Sequence, residues 1–309
     1  MPLWFDLMMT GGAGGGAGGG TTFIIVGDSG KLATSTDGIN WILQTSSFGT
    51  TNINDVNSKD GIAFACGDAG KARYSSNYTS WSSITTGTGV LNLQKTAVGT
   101  TNILIVGDSA AQSWATTPNG VWTFVNTFDN TQDEVFAAAT NGTEVGLVRD
   151  TTLEPFLYYS DFTNSFSFVS IIPAKPVSVA YGNGIYVATI KKSSSSEIWT
   201  STSLEGTFTR RVNDGTKYDI QNASFCGGVF LVWFTRSGGS KLYISADGIT
   251  WAVGTAPTSA NVKGNFAFGN GLYVGAFGNG TLYTSPNYTT WTARTSGFSS
   301  SSINGITFA

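Results

Sequence analysis

Ser35-Thr36-Asp37-Gly38-Ile39-Asn40-Trp41 decides the fold, because the same pattern returns along the whole chain. Each copy has a Ser or Thr, five intervening residues and then a Trp or Phe. The aromatic positions, spaced 40 to 44 residues apart, are Trp41, Trp81, Trp122, Phe166, Phe208, Trp251 and Trp291. A period of about 42 residues is typical of a four-stranded propeller blade, so seven copies predict an all-β, seven-bladed β-propeller.

The repeated segment has the chemistry of a tight turn between two strands. The Asp or Asn two positions after the Ser can accept hydrogen bonds from the amides that follow it, and Gly can adopt a positive φ. We expect the aromatic residue that ends each copy to pack between neighbouring blades. The turn positions assigned in this way are Ser35, Asp37, Gly38, Ser75, Asn77, Ser245, Asp247, Gly248, Ser285 and Asn287.

Three copies depart from this chemistry. The third carries its Asn one position later, at Asn119, and the fourth and fifth have Phe162 and Leu204 at the Asx position. Upstream of the turns, apolar segments are split by a Gly-containing turn, as in Val177–Ala188. The predicted blade is therefore a strand, a Gly-containing turn, a strand, a longer link, a strand, the capped turn and a last strand.

The two ends of the repeat region complement each other. Ile303–Ala309 resembles the first strand of a blade but has no blade after it, and Thr22–Gly27 resembles a second strand with no first strand before it. We therefore expect the C-terminal strand to complete the first blade and close the ring, which leaves no long open sheet edge. The predicted propeller domain spans residues 21–309.

The Ser-x-Asp-Gly-x-x-Trp segments at Ser35 and Ser245 resemble the Asp-box turns of sialidase-type and sortilin-type propellers and of photosystem assembly factors. The usual box is one residue longer between the Ser and the aromatic residue. The resemblance covers residues 21–309 as a repeat pattern, and it implies the propeller fold.

Catalytic chemistry is poorly represented. The sequence contains no His, which excludes His-based acid–base pairs, Ser-His-Asp triads and the common zinc sites. Gly27-Asp28-Ser29-Gly30 resembles a lipase nucleophile block, but it recurs at equivalent blade positions and is therefore interpreted as a hairpin turn. A sialidase would need three clustered Arg, whereas the six Arg are scattered: Arg73, Arg149, Arg210, Arg211, Arg236 and Arg294. We predict no enzymatic activity, no cofactor and no metal.

Charged residues make up only 11% of the chain, and the formal net charge is −3. The chain has no Lys/Arg-rich run and no apolar run of transmembrane length, so we expect neither nucleic-acid binding nor membrane insertion. The pairs Lys191-Lys192 and Arg210-Arg211 are expected to be solvated loop charges rather than a basic patch, and Asp133-Glu134 is expected in a solvated loop. Cys66 and Cys226 are expected to be buried free thiols.

Residues 1–20 do not follow the blade pattern. An apolar tip is followed by the Gly-rich stretch 11–20, and no basic residue precedes Lys31, so the charged start of a secretion signal is missing. We expect these residues to form an arm that anchors the propeller to a neighbouring protein. The residues of the tip are Trp4, Phe5, Leu7, Met8 and Met9.

Three functions are compatible with these features. The arm, the missing secretion signal and the polar, weakly charged surface favour a structural or appendage protein of a bacteriophage-like virion, made in the host cytoplasm, that docks onto other virion proteins and contacts the host surface. The Trp/Tyr-rich repeats allow a glycan-binding, lectin-like module, since aromatic faces stack on sugars. The third possibility is an assembly factor or scaffold, for which a clustered basic patch would be expected, and the sequence shows none.

Overall fold

The computed structural model describes residues 21–108, 111–126, 135–149, 157–160, 166–168, 176–260 and 262–309. The N-terminal arm and Asp133-Glu134 lie outside these residues. The described chain forms seven antiparallel sheets of four strands each. Within it, no helix has the length and apolar character that spanning a membrane requires.

Each sheet is one blade, and strands are numbered β1 to β28 along the chain. From the inside outwards, the first three blades are composed as follows. Blade 1 has β28 (Ile303–Phe308), β1 (Phe23–Gly27), β2 (Leu32–Ser35) and β3 (Ile42–Gln44); blade 2 has β4 (Ile53–Lys59), β5 (Ile62–Gly67), β6 (Ala72–Ser75) and β7 (Ser82–Ile84); blade 3 has β8 (Leu93–Val98), β9 (Ile103–Gly107), β10 (Ala111–Ala115) and β11 (Thr123–Asn126).

The other four blades follow the same order from inside to outside. Blade 4 has β12 (Val135–Thr140), β13 (Glu144–Arg149), β14 (Leu157–Ser160) and β15 (Phe166–Phe168); blade 5 has β16 (Pro176–Gly182), β17 (Ile185–Lys191), β18 (Ser196–Ser201) and β19 (Thr209–Asn213); blade 6 has β20 (Ile220–Cys226), β21 (Val229–Arg236), β22 (Gly239–Ser245) and β23 (Ala252–Gly254); blade 7 has β24 (Gly264–Gly269), β25 (Leu272–Phe277), β26 (Thr281–Ser285) and β27 (Thr292–Thr295).

The ring is closed by the last strand of the chain. Each innermost strand contacts the innermost strand of the next blade, and β28 lies between β24 and β4. In blade 1, β28 pairs antiparallel with β1, so that Phe308 lies opposite Phe23. The predictions of a seven-bladed propeller and of its closure by the C-terminal strand are confirmed.

The core consists of layers between the blades. Strand β1 is buried at all five positions, because a blade's second strand is covered by a neighbouring blade on each side. Between blades 7 and 1, Phe23, Val274 and Phe308 pack in one cluster, and the Phe23 and Phe308 ring centroids lie 4.6 Å apart. Burying one such side chain contributes about 1.5–3 kcal/mol, so adjacent blades are held together mainly by apolar contact.

Two faces of the ring differ in the connections that they carry. We call the end where the innermost strands begin the A face and the opposite end the B face. Because the strands alternate in direction, the A face carries the connections between second and third strands, such as Asp28–Lys31, and the links between blades, such as residues 45–52. The B face carries the inner hairpins, such as Asp60-Gly61, and the repeated turns, such as Thr36–Asn40.

The predicted link between the second and third strands is longer than the inner hairpin in blade 2, with Asp68–Lys71 against Asp60-Gly61, but not in blade 6. That connection has four residues in blade 1, Asp28–Lys31, and two in blade 6, Ser237-Gly238. The long connections join blades instead, because the chain must return from the outermost strand to the innermost strand of the next blade. The outermost and innermost strands of a blade are three strand spacings apart, a distance of about 14 Å.

Candidate functional site

The repeated turns on the B face are built around one carboxylate or amide each. Asp37 Oδ1 accepts hydrogen bonds from the backbone N–H groups of Ile39 and Asn40, both at 2.8 Å, and from Ser35 Oγ at 2.9 Å. Asp247 Oδ1 accepts in the same way from Ser245 Oγ and from the backbone N–H groups of Ile249 and Thr250. These carboxylates are already occupied within their own turns.

The same hydrogen bonds lower the pKa of both carboxyl groups. The amide of Asn40 is the main cause for Asp37, whose pKa falls far below its usual value. For Asp247 the amides of Thr250 and Ile249 lower the pKa from 3.8 to about 2. Both groups are therefore stabilised as anions by the turn itself, and no external ligand is needed to explain their charge.

In blades 2 and 7 an Asn replaces the Asp. Asn77 Oδ1 accepts from the amides of Thr79 and Ser80, and Ser75 Oγ donates to it. Asn287 repeats this arrangement, with Ser285 as the hydroxyl donor. The left-handed position that Gly38 and Gly248 occupy in the other turns is taken here by Tyr78 and Tyr288, at φ values of 63° and 51°.

The aromatic residues that follow the turns belong to the packing between blades. The rings of Trp41, Trp251 and Trp291 lie 5.7 to 6.3 Å from those of core phenylalanines. Trp81 and Phe208 are 6% and 3% exposed, and Trp122 packs against the cluster between blades 2 and 3. Phe166 lies in β15, and its side chain is outside the described part. The described rings thus contribute to packing between the blades, and Trp81 and Phe208 are buried there.

On the A face, a second repeated segment locks neighbouring blades together. In blade 1, Asp28 N–H donates to Ser302 O, and Lys31 Nζ donates to Phe298 O at 2.7 Å. In blade 2, Lys71 Nζ donates to Phe48 O at 2.9 Å and to Thr51 Oγ1 at 2.6 Å. Each Lys therefore ties its own turn to the link that arrives from the preceding blade, and the segment resembling a lipase block has a structural role.

The glycines of these turns are required by close contacts with the link that leaves the same blade. A Cβ on Gly70 would lie 1.9 Å from Gly89 O, and one on Gly30 would lie 2.0 Å from Gly49 O. Both residues also have φ near +67°. The backbone of the neighbouring link therefore occupies the space of a side chain.

Side-chain amides of Asn residues also join the innermost strands of neighbouring blades at the A face. Asn304 Nδ2 donates to Ile53 O at 3.0 Å, and Asn54 Nδ2 donates to Leu93 O at 2.9 Å. The same type of bond runs from Asn265 to Asn304 O and from Asn222 to Gly264 O. Four consecutive boundaries, from blade 6 round to blade 3, are bridged by an Asn amide and a backbone carbonyl.

Blade 5 carries a buried carboxylate with several donors at its A-face end. The side chain of Glu197 is 1% exposed, and it forms ion pairs with Lys192 at 2.9 Å and Arg210 at 3.3 Å. Trp199 Nε1 donates to Glu197 at 2.7 Å. Burial alone would raise the pKa of Glu197, but the hydrogen bonds from Lys192 and Trp199 outweigh it and lower the pKa. One carboxylate thus positions two cations.

A similar arrangement lies at the start of the link to blade 6. The Asp214 side chain is fully buried, with Lys241 Nζ 2.7 Å from Oδ2 and a short hydrogen bond from the Tyr243 hydroxyl. The ring of Tyr218 has Arg236 at 5.7 Å and Lys241 at 5.9 Å from its centre. Arg236 and Lys241 are thus held in place by these contacts, and part of each side chain remains accessible from the A face.

We call these side chains the charged sector. It contains two buried carboxylates and six cations: Glu197, Asp214, Lys191, Lys192, Arg210, Lys217, Arg236 and Lys241. Residues 191–241 include seven basic and four acidic residues, in a chain whose net charge is −3. The Arg210 and Lys241 side chains are 49% and 39% exposed. This end of blades 5 and 6 therefore gathers six cations, with the exposed Asp219 in the same link.

The expectation that these charges are solvated holds for Arg210 and Arg211, which are exposed, but both lie in a strand rather than in a loop. Lys191 ends β17 and Arg210 lies in β19, and Lys192 and Arg210 share the carboxylate of Glu197. The sequence did not reveal the sector because its members are spread over 50 positions. Only the propeller topology brings strand ends and blade links to one face.

Metal and thiol chemistry have little support in the described part of the chain. The residues there include no group of three or more Cys, Asp or Glu placed to hold a metal ion. Cys66 and Cys226 are free and buried, as expected, and burial raises the pKa of both thiols. Neither is poised to act as a thiolate nucleophile.

Comparisons with known proteins place the fold. No family model matches the sequence, and no curated protein matches it. Among solved structures, YCF48 from Cyanidioschyzon merolae is similar over 83% of this chain and 94% of its own, with a TM-score of 0.59 and 13% identity.

Two further structures contain a propeller together with a partner. YCF48 bound to D1 peptide has a TM-score of 0.59 and 16% identity, covering 83% of this chain and 92% of that one. A chain of a nidogen/laminin complex has a TM-score of 0.56 and 10% identity, covering 80% and 98%. At these identities the likeness establishes the β-propeller fold, and the chain is similar to these proteins in that respect.

Proposed function

We propose that the chain is a non-enzymatic protein-interaction module that binds an acidic segment of a partner protein on its A face, over the charged sector. The observation that carries this proposal is the presence of six cations at one end of blades 5 and 6, three of which pair with two buried carboxylates. Glu197 and Asp214 are buried, whereas their partners Arg210 and Lys241 are partly exposed to solvent. Such a surface attracts acidic groups and accelerates their association.

The structural neighbours support the class of function. One was solved as YCF48 with a D1 peptide and another as a nidogen/laminin complex. Both names include a partner of the propeller, which supports a role in protein interaction for a chain of similar fold. An assembly factor or scaffold would act in this way.

Charge reversal tests the proposed face. Lys217→Glu with Arg236→Glu changes two exposed cations that hold neither buried carboxylate, so folding should be retained. We expect a fluorescent peptide of alternating Glu and Ser to bind the unaltered protein in a salt-dependent manner and to lose about tenfold in affinity in the variant, since tenfold corresponds to about 1.4 kcal/mol.

The matched control is Arg294→Glu with Thr292→Glu and Thr295→Glu, which makes the same total charge change away from the sector. All three residues lie in the outer strand of blade 7, where Thr292 and Thr295 are exposed. Equal losses in both variants would show that overall charge, rather than the sector, governs binding. Equal binding of a neutral Gln/Ser peptide would also contradict the proposal.

We further propose that the module is a virion component anchored by residues 1–20. The support is positional: Thr21 N–H donates to Ala309 O at 2.8 Å, so the arm joins the propeller on the B face, opposite the charged sector. An anchor there leaves the A face free for a partner on another protein or on the host surface.

Deleting residues 1–20 tests this anchoring role. We expect the shortened protein to keep its circular dichroism spectrum and its peptide binding but to stop co-sedimenting with the source particle. Continued co-sedimentation would mean that the propeller itself holds the particle. In that case the arm would have another role.

A further inference from the structure

Blade 1 has an exposed apolar rim. Of the large apolar side chains that are exposed in the described chain, three lie within five residues of one another: Ile39 at 40%, Ile42 at 66% and Leu43 at 54% exposure. Ile42 and Leu43 belong to the outermost strand β3, which is hydrogen-bonded to β2 on one side and has an open edge on the other. We call these three side chains the blade 1 rim.

An open strand edge with apolar side chains is a site for an added extended segment. Such an edge offers free backbone N–H and C=O groups, and the side chains supply the apolar contact. The edges of blades 2 and 7 lack this character, since Ser83 and Ala293 occupy the position of Leu43 in their registers. The rim is therefore a property of particular blades and not of the repeat.

The chain preceding residue 21 starts close to this rim. Thr21 and Thr22 both donate their N–H groups to Ala309 O, which fixes the start of β1 on the B face of blade 1. Ile39 lies in the repeated turn on the same face of the same blade. Only two strand spacings, about 10 Å, separate β1 from β3.

The Gly-rich part of the arm is long enough to span the distance from β1 to β3. Residues 4–9 are Trp-Phe-Asp-Leu-Met-Met, and residues 11–20 contain only Gly and Ala. A Gly-rich chain of ten residues has a root-mean-square length of about 17 Å. A tether whose length matches the span to its site gives an effective concentration in the millimolar range.

We propose that residues 4–9 dock on the blade 1 rim of the same chain, along the open edge of β3. A segment with a dissociation constant of about 0.1 mM would then be bound about ten times more often than free. Docking covers the exposed Ile42 and Leu43 and holds the arm until a partner competes for its apolar tip. This proposal concerns the B face and the outer edge, so it is independent of peptide binding by the charged sector.

Blade 6 provides a matched comparison. Its outer hairpin repeats the exposed apolar pattern, with Ile249 at 49% and Val253 at 60% exposure, but it lies beyond blade 7 from the start of the arm. Val253 holds in blade 6 the register position that Leu43 holds in blade 1. The two rims have similar chemistry and different distances from Thr21.

Amide hydrogen exchange of full-length protein tests the docking. We expect the amides of residues 4–9 to exchange about tenfold faster in Ile42→Ser/Leu43→Ser than in the unaltered protein, and to be unchanged in Ile249→Ser/Val253→Ser. In the reciprocal variant Phe5→Ser/Leu7→Ser, exchange at Ile42–Gln44 should accelerate while the rest of blade 1 stays protected.

Two results would overturn the proposal. One is equally fast exchange of residues 4–9 in the unaltered protein and the blade 1 rim variant. The other is protection that rises with protein concentration, because that would place the arm on a second copy.

Discussion

At the scale of single residues, the strictest requirement lies in the glycines of the A-face turns. Gly70 combines a φ of +67° with a backbone oxygen 1.9 Å from the position of a Cβ. Gly61, in the inner hairpin of blade 2, has a φ of +76° and open space around that position. A substitution at Gly61 therefore measures the free-energy cost of the backbone conformation alone. A substitution at Gly70 adds the cost of the contact with the neighbouring link.

We predict that Gly61→Ala lowers the free energy of unfolding by about 1 kcal/mol, the usual cost of a left-handed conformation. Gly70→Ala should lower it by about 1–3 kcal/mol more, because the link must move away from the new methyl group. Urea unfolding of both variants measures the difference. Equal losses would mean that the link accommodates a side chain freely.

The carboxylates of the repeated turns should make the stability of the fold depend on pH in the acid range. The pKa values of Asp37 and Asp247 are lower in the folded chain than the usual 3.8, and that of Asp247 is about 2. A carboxyl group whose pKa is lower in the folded state stabilises the fold fully at pH values above its pKa in the unfolded chain. This stabilisation is lost as the pH falls through its pKa in the folded chain. The window for this loss is therefore about pH 4 to 2.

We predict that Asp37→Asn/Asp247→Asn flattens the fall in melting temperature between pH 4 and pH 2, since blades 2 and 7 already use Asn in the same turn. The reciprocal variant Asn77→Asp should steepen it. Thermal unfolding across this range, at constant ionic strength, is the measurement. Parallel curves for all three proteins would show that other carboxylates dominate the acid response.

At the scale of the structural element, the A-face turn and the blade link act as one unit. Lys71 is half-buried and holds both a carbonyl and a hydroxyl of the link between blades 1 and 2. Lys31 holds the equivalent link between blades 7 and 1 through Phe298 O and Ser301 Oγ. The position of each link, and hence of the A-face surface, depends on these cations.

We predict that Lys71→Met lowers the free energy of unfolding by about 1–2 kcal/mol, near the lower end for hydrogen bonds of a charged group. The exposed Lys217 serves as the control, and Lys217→Met should change it by less than about 0.5 kcal/mol. Denaturant unfolding measures both. A loss no larger than that of the control would mean that the packing of Phe48 alone holds the link.

Sequence patterns anticipated some elements and missed others. The spacing of Trp41, Trp81 and Trp251 predicted the blades, because a period in the chain directly reports a repeated unit. The tight connection at Asp28–Lys31 was predicted as a hairpin turn, because its Gly-Asp-Ser pattern recurs at equivalent blade positions. The Glu197 pairs were missed because they depend on the register that places Trp199 opposite Arg210.

At the scale of the whole molecule, β28 is the strand on which the ring depends. It carries the buried side chains of Ile303, Ile306 and Phe308 and contacts the innermost strands of both neighbouring blades. Its place was predictable because the two incomplete ends of the repeat region add up to one blade. The charged sector was not, because it depends on how blades 5 and 6 bring distant strand ends to one face.

We predict that deleting residues 303–309 abolishes cooperative unfolding. Three large side chains contribute about 5–9 kcal/mol, which is comparable to the total stability of about 5–15 kcal/mol for a typical domain. Circular dichroism during urea unfolding is the measurement.

A circular permutant provides the control for this deletion. It joins Ala309 to Thr21 through a short Gly linker, omits residues 1–20 and opens the chain within residues 296–302. It should unfold cooperatively, because β28 then precedes β1 directly. A cooperative transition at an unchanged urea concentration in the deletion variant would contradict the role given to β28.

The bonds between Thr21 and Ala309 also make the mechanical strength of the propeller depend on direction. Strands β1 and β28 run antiparallel, with Phe23 beside Phe308, so a force that pulls residues 21 and 309 apart opens their hydrogen bonds one after another. A force between the arm and a partner on the A face runs along β1 instead, and it loads the bonds to β2 and β28 together in shear. Tension between an anchor and an A-face partner is therefore carried along the stronger axis.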